Sequence, residues 1–286
     1  MEQEPSESVY ENMGNYNKQL NKLFDEWSNL PNEKGFCKDG LMLKYFEEYK
    51  PDFVDEQWEK APVRVAFLVK ETNDGYGYDA RLLLNGHKEA EQIRNLKGGR
   101  ISRVGFYPNI ANIFFGILSA AKGDRKGYDY IKERPDQVKT VFNKEPFALI
   151  ECKKTAGSTV SNDNNLRKYI DSNEEFLIKE LKILAPNVIV CCDPHDIIFD
   201  FVTKKLFEGK NSEAQFGSKE YMVKNRIPCA QYYNSDNTPY SAANGVAVVK
   251  SFHPVTRGKA KWEIYEYSIS PFGALAHWFL NERNKK

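Results

Sequence analysis

With 286 residues, 41% of them hydrophobic and 13% aromatic, the chain is long enough to close a large core of its own. Its 41 basic and 40 acidic residues leave a net charge of +1, which excludes a bulk electrostatic pull toward nucleic acid and confines any such binding to a local patch. The five cysteines are odd in number and show no Cys-x-x-Cys spacing. That pattern predicts reduced, buried thiols and a cytoplasmic protein, with no disulfide framework, no zinc or iron–sulfur site and no cofactor.

The N-terminal stretch MEQEPSESVYENMG is acidic and polar, without the apolar core of a secretion signal. No apolar run approaches the roughly 20 residues that a membrane helix needs. From Tyr16, apolar residues fall at Leu20, Leu23, Phe24 and Trp27, the spacing of one buried helical face. A second helical segment is predicted from Gly40 to Tyr49. Then four short β-branched runs appear: VRVAFLV after Pro62, FALIEC (Phe147 to Cys152), NVIVCC (Asn187 to Cys192) and GVAVVKSF (Gly245 to Phe252). The first three are apolar at successive positions, as strands covered on both faces are.

Helical segments alternate with these strands: Pro108 to Ala121, Asn164 to Leu184, the stretch DIIFDFVTKKLF, and a last helix from Pro271 to Asn284. Strand alternating with helix predicts an α/β three-layer sandwich around a central, mainly parallel four-stranded sheet. The polar, turn-rich segment Glu208 to Ser241 is expected to wrap the surface. Residues 1–61 read as a tail and helices packed on a core domain over residues 62–286.

In open α/β sheets, ligands bind beyond the carboxyl ends of the strands. The residues just beyond each run are therefore informative: Lys70-Glu71-Thr72-Asn73, then Lys153-Lys154 with a hydroxyl-rich turn containing Ser158, then Asp193-Pro194-His195-Asp196, then His253-Pro254 with Thr256 and Arg257. Each cluster also has a plain structural reading. Glu71 could pair with a lysine, Ser161, Asn162 and Asp163 are good N-cap types, and Asp193 and Pro194 suit a helix start.

In the order of its motifs (VAFLVKETN, FALIECKKTAG, LKILAPNVIVCC and SFHPVTR) the chain resembles the uracil-DNA glycosylase superfamily over Pro62 to Leu280. The resemblance implies a parallel four-stranded sheet between helices and hydrolysis of the N-glycosidic bond of a deaminated or otherwise modified base in DNA. By position, Glu71 would orient water or stabilise the cationic sugar, and His253 would hydrogen-bond the departing base. Asn73, Phe106, Tyr107, Asn109 and Glu151 become candidate base-binding residues, with Phe106 and Tyr107 the stacking aromatics. Lys153, Lys154, Ser158, Thr256 and Arg257 become candidate phosphate ligands. DNA is the implied partner of a monomer.

The sequence departs from that pattern in two places. Val69-Lys70 precede the acid and Thr72 follows it, where the family has glycine and proline. Glu151 stands near the place of the asparagine that reads uracil, and a carboxylate accepts hydrogen bonds but donates none unless protonated. The competing expectation is an inactive member of the fold that binds nucleic acid, a modified nucleotide or a protein.

Overall fold

The computed structural model describes residues 14–31, 33–42, 51–71, 77–82, 84, 105–155, 162–193, 195–208, 214–217, 229–233, 246–256 and 258–272. Helix α1 (Asn15–Ser28) buries Leu20, Leu23, Phe24 and Trp27, the face that the spacing predicts. Strand β1 (Gly40–Leu41) stands where a helix was expected to begin. Gly40 has φ +128°, which a helix cannot use, and its backbone pairs with a sheet edge instead. The remainder of that expected helix, 43–49, lies outside the described residues.

Helix α2 (Pro51–Lys60) opens on a proline, whose missing N–H costs nothing in a first turn. Strand β2 (Val65–Glu71) comes next, then helices α3 (Phe106–Ala121), α4 (Tyr128–Glu133) and α5 (Pro135–Lys144), and then strand β3 (Ala148–Lys153). Two helices come after it, α6 (Asp163–Ser172) and α7 (Glu174–Leu184), where the periodicity suggested one. The break falls at Asn173, whose side-chain oxygen accepts the Trp27 indole N–H at 2.8 Å while its amide donates to the Tyr169 carbonyl at 3.1 Å. A tertiary contact thus overrides a continuous helical pattern.

Strand β4 (Val188–Cys192) leads to α8 (Ile197–Phe201), which continues as a π-helical turn over Val202–Leu206. Strands β5 (Ala214–Gly217), β6 (Cys229–Tyr233) and β7 (Val246–Ser251) precede α9 (Lys261–Ile269). Most of the expected helix over Pro271 to Asn284 lies outside the described residues.

Among the described residues, seven strands form a single mixed sheet in the order β1-β3-β2-β4-β7-β6-β5. The four predicted strands are its parallel centre, β3-β2-β4-β7. The sheet is nonetheless wider than the four strands expected, because β1 and β6 add antiparallel strands at the two sides and β5 pairs antiparallel with β6. The last two come from the segment expected to wrap the surface.

Alternation along the central strands sorts their side chains between two helix layers. Val65, Phe67 and Val69 join a core with α3 and α9, whereas Ala66 and Leu68 join one with α1, α2 and α7. Each large apolar side chain buried in this way contributes about 1.5–3 kcal/mol. Helix α1 is therefore part of the same core as the sheet, with the Trp27 ring stacked 5.2 Å from Phe176.

Candidate functional site

Chain order sets where a crevice opens. From β2 the chain crosses to β3 on one side, then returns over β2 to β4 on the other, so the connections diverge at the carboxyl ends of β2 and β4. Strand alternation then divides the polar residues of this edge into two groups.

On the α3 side lie Glu71, Glu151 and Lys153. Glu71 and Lys153 are register partners on adjacent strands, and the Lys153 ammonium sits 2.8 Å from Glu71 Oε2. The same ammonium donates to the Thr155 carbonyl at 2.9 Å. Lys153, expected at a phosphate, is thus the ion-pair partner of the candidate catalytic acid. Glu151 is buried and its Oε1 accepts the Tyr78 hydroxyl at 3.2 Å. Tyr107 is buried beside it; burial and the Glu151 charge both push the phenol upward, so it stays protonated. The Phe106 ring lies 5.1 Å from Tyr107 and 5.9 Å from His253, giving a row of rings from Glu151 to the histidine.

His253 lies just beyond β7. Its Nδ1 accepts the Val255 N–H at 3.3 Å, which leaves the proton of the neutral ring on Nε2. Burial, assisted by the Lys70 charge, pushes its pKa down to about 4. At neutral pH the side chain is therefore an uncharged N–H donor. Its turn is built by neighbours: the Thr256 N–H and hydroxyl both bond the His253 carbonyl, at 2.9 and 2.8 Å, and Asn109 Nδ2 donates to the Pro254 carbonyl at 2.6 Å. Thr256 and Asn109, expected on phosphate and base, thus shape the loop that carries the histidine. Gly105, at φ +75°, lets the chain turn into α3 just ahead of Phe106.

On the other face, Lys70 is buried with its ammonium 2.6 Å from Asp163 and 3.6 Å from Asp193. Asp163 also bonds His195 Nδ1, and Asp193 accepts the backbone N–H groups of His195, Ile197 and Ile198 as the cap of α8. The helix starts later than expected: its N-cap position is Asp196, at φ +63°, and Asp193 reaches the first-turn N–H groups from ahead of it. Asp163, Asp193 and His195 bring ligand atoms within 4.8 Å of one another, a metal-like spacing. The Lys70 ammonium already supplies the positive charge there, so the group is satisfied as an ion cluster.

Lys154 contradicts its expected role on phosphate. It is fully buried on the α1 side, 2.6 and 2.8 Å from the two Asp39 oxygens and 2.7 Å from Glu180 Oε2. Asp39 Oδ2 also accepts the Glu151 N–H at 2.6 Å. Despite burial, the two acids hold the lysine above its ordinary range. Burial and the Asp39 charge push Glu180 well up, against the pull of the Lys154 ammonium.

Asn73, Ser158 and Arg257 lie outside the described residues. Sequence reasoning missed Tyr78 and gave little weight to His195 and Asp163. No protein-family model matches the chain, and a search of curated proteins finds no match. Among the described residues, no helix is long and apolar enough to cross a membrane.

Proposed function

We propose that the chain is a divergent member of the uracil-DNA glycosylase fold that hydrolyses the N-glycosidic bond of a modified base in DNA, as a cytoplasmic monomer. The observation that carries this reading is His253: a histidine kept neutral, with its donor proton assigned to Nε2, on the edge where β2 ends in Glu71. The parallel centre of the sheet, flanked by helices on both faces, supports the same reading.

Breaking the bond from C1′ to the base leaves a cationic sugar and an anionic base. Water then adds to C1′, and its proton leaves with the base or to solvent. Glu71 supplies negative charge beneath the sugar, with the Lys153 ammonium 2.8 Å from its carboxylate. The His253 Nε2–H donates to the oxygen on which the leaving base gathers charge. Phe106 provides a ring face for a base extruded from the stack.

The Glu71–Lys153 ion pair also favours a second reading, a binding protein in which the acid is structural. Abasic-site formation on single- and double-stranded oligonucleotides carrying uracil, hypoxanthine, xanthine or oxidised bases separates the two. The hydrolase reading expects base release that falls by about 100- to 1,000-fold in Glu71→Gln and in His253→Ala. Folded wild-type protein that releases no base from the panel would leave the binding reading.

A further inference from the structure

We infer that His195, oriented by Asp163, is the general base that takes the proton of the attacking water, the counterpart of the donor His253. This role rests on the proposed hydrolysis and adds to it a catalytic residue and its positioning partner.

Strand order places His195. Along the sheet edge, β4 lies between β2, which ends in Glu71, and β7, which leads to His253. Neighbouring strands are about 4.8 Å apart, so the turn after β4 opens between two strand ends roughly 10 Å apart, those that carry the acid and the donor. The Lys70 ammonium gives the same placement. It lies 2.6 Å from Asp163 and 3.6 Å from Asp193, and its charge also acts on His253.

Two helix starts hold the ring. Asn162 caps α6 by accepting the N–H groups of Asn164 and Asn165 at 3.0 and 3.3 Å, which sets Asp163 in the first turn. Asp193 accepts the His195 N–H at 3.0 Å and so fixes the backbone beneath the imidazole. Asp163 Oδ1 is bonded by Lys70 and its Oδ2 meets His195 Nδ1. Against burial, the Lys70 and His195 hydrogen bonds hold the Asp163 carboxyl below its ordinary range, so it accepts as an anion. Nδ1 must then carry the ring proton, which leaves the lone pair of the neutral imidazole on Nε2. The His195 side chain is 60% exposed, and Nε2 has no hydrogen-bond partner among the described residues.

His253 has the opposite assignment, with Nδ1 accepting and Nε2 donating. One histidine is thus set to give a hydrogen bond to the base and the other to take a proton. Glu71, with the Lys153 ammonium 2.8 Å from its Oε2, serves as fixed charge beneath the sugar. The water oxygen bonds to C1′ as the bond from C1′ to the base breaks. The water proton passes to His195 Nε2 and then to solvent, and the electron pair of the broken bond leaves with the base. The charges around His195 are Asp163 at the start of α6, Lys70 near the end of β2, Asp193 after β4, and Asp196 with its partner Lys250 from β7.

The test follows single-turnover base release against pH, on whichever oligonucleotide of the uracil, hypoxanthine, xanthine and oxidised-base panel the wild-type protein cleaves. Ring tautomers are read in the same protein by nitrogen-15 NMR at pH 8. General-base catalysis contributes about 100- to 10,000-fold. His195→Ala should lose rate by that factor while binding the oligonucleotide as wild type does. It should also lose the fall in rate that wild type shows as His195 takes up a proton, and regain rate when imidazole is added. The ring is exposed, so its removal leaves the core intact. Asp163→Asn offers Nδ1 an N–H in place of a carboxylate, which should move the ring proton to Nε2 and lower the rate through the wrong tautomer.

Unchanged base release in His195→Ala overturns the inference and leaves the hydrolase reading standing. A lowered rate that keeps the wild-type pH profile does the same, because it marks a structural role. A wild-type His195 with its proton on Nε2 overturns the inference without any activity measurement. Wild-type protein that releases no base ends the hydrolase reading and this role together.

Discussion

Acidification should weaken this fold through one identifiable histidine. His253 has an ordinary pKa of 6.5 and is pushed down to about 4 by burial and by Lys70. Between these values the unfolded chain binds a proton at this position that the folded chain refuses, so stability rises with pH across the window and is lost as pH falls. Above pH 7 both states carry the neutral ring and the difference vanishes. Integrating one group with these two pKa values gives a loss of about 2 kcal/mol at pH 5 and about 3 kcal/mol at pH 4. Other acids also titrate in this range, so the measurement is a comparison. Urea unfolding of wild type and His253→Gln is tracked from pH 7.5 to pH 4; glutamine keeps an N–H donor and cannot titrate. The wild-type curve should fall below that of the variant by those amounts, relative to their separation at pH 7.5. Parallel curves over the whole range would refute the burial of a neutral histidine, and with it the donor role that the proposed chemistry needs.

Lys154→Met should cost about 3–5 kcal/mol in the same unfolding assay, because it leaves Asp39 and Glu180 buried without their cation, whereas an exposed phosphate-binding lysine would cost under about 0.5 kcal/mol. A midpoint shift of the smaller size would contradict the buried cluster. Thiol labelling gives an independent check. Burial pushes Cys37 and Cys192 up to about 12 and raises Cys152 and Cys191 well above the usual thiol range. Iodoacetamide at pH 8 should therefore leave these four unmodified in native protein and modify them in guanidinium, as read by peptide mass spectrometry; rapid native labelling of any of them would argue against its burial.

The parallel centre of the sheet was legible because its strands announce themselves by composition: VAFLV, FALI and VIVCC are apolar at successive positions, so they serve both helix layers. The added strands gave no such signal. A two-residue strand such as β1 has no period to read, and β5 and β6 lie in a polar segment whose strands pair through the backbone. The helix α9 was missed because Ile264, Tyr265, Glu266, Tyr267, Ser268 and Ile269 are all buried, which removes the one-sided pattern by which a surface helix is recognised. The shared sheet edge of Glu71, Glu151 and His253 was readable from their places at the carboxyl ends of apolar runs. The roles of the lysines were not readable in that way. Lys153 and Lys154 are neighbours in sequence but face opposite sides of the sheet, and the partner that decides the fate of Lys154, Asp39, is 115 positions away.

That opposite-face rule also explains why so charged an edge can hold an uncharged histidine. Lys70 is the penultimate residue of β2 and points away from Glu71, into Asp163 and Asp193, where it ties the starts of α6 and α8 to the end of β2. A leucine there would leave two carboxylates facing each other. Yet the Lys70 charge also acts on His253, where it adds to burial in denying the ring a second proton. The lysine thus serves structure through its contacts and chemistry through its field. Removing its charge should therefore do two separable things: loosen the Asp163–Asp193 junction, and let the pKa of His253 rise toward its ordinary value. The second effect is the one that would link this ion cluster to the candidate site, because a histidine that gains a proton near neutrality exchanges a fixed neutral donor for a cation.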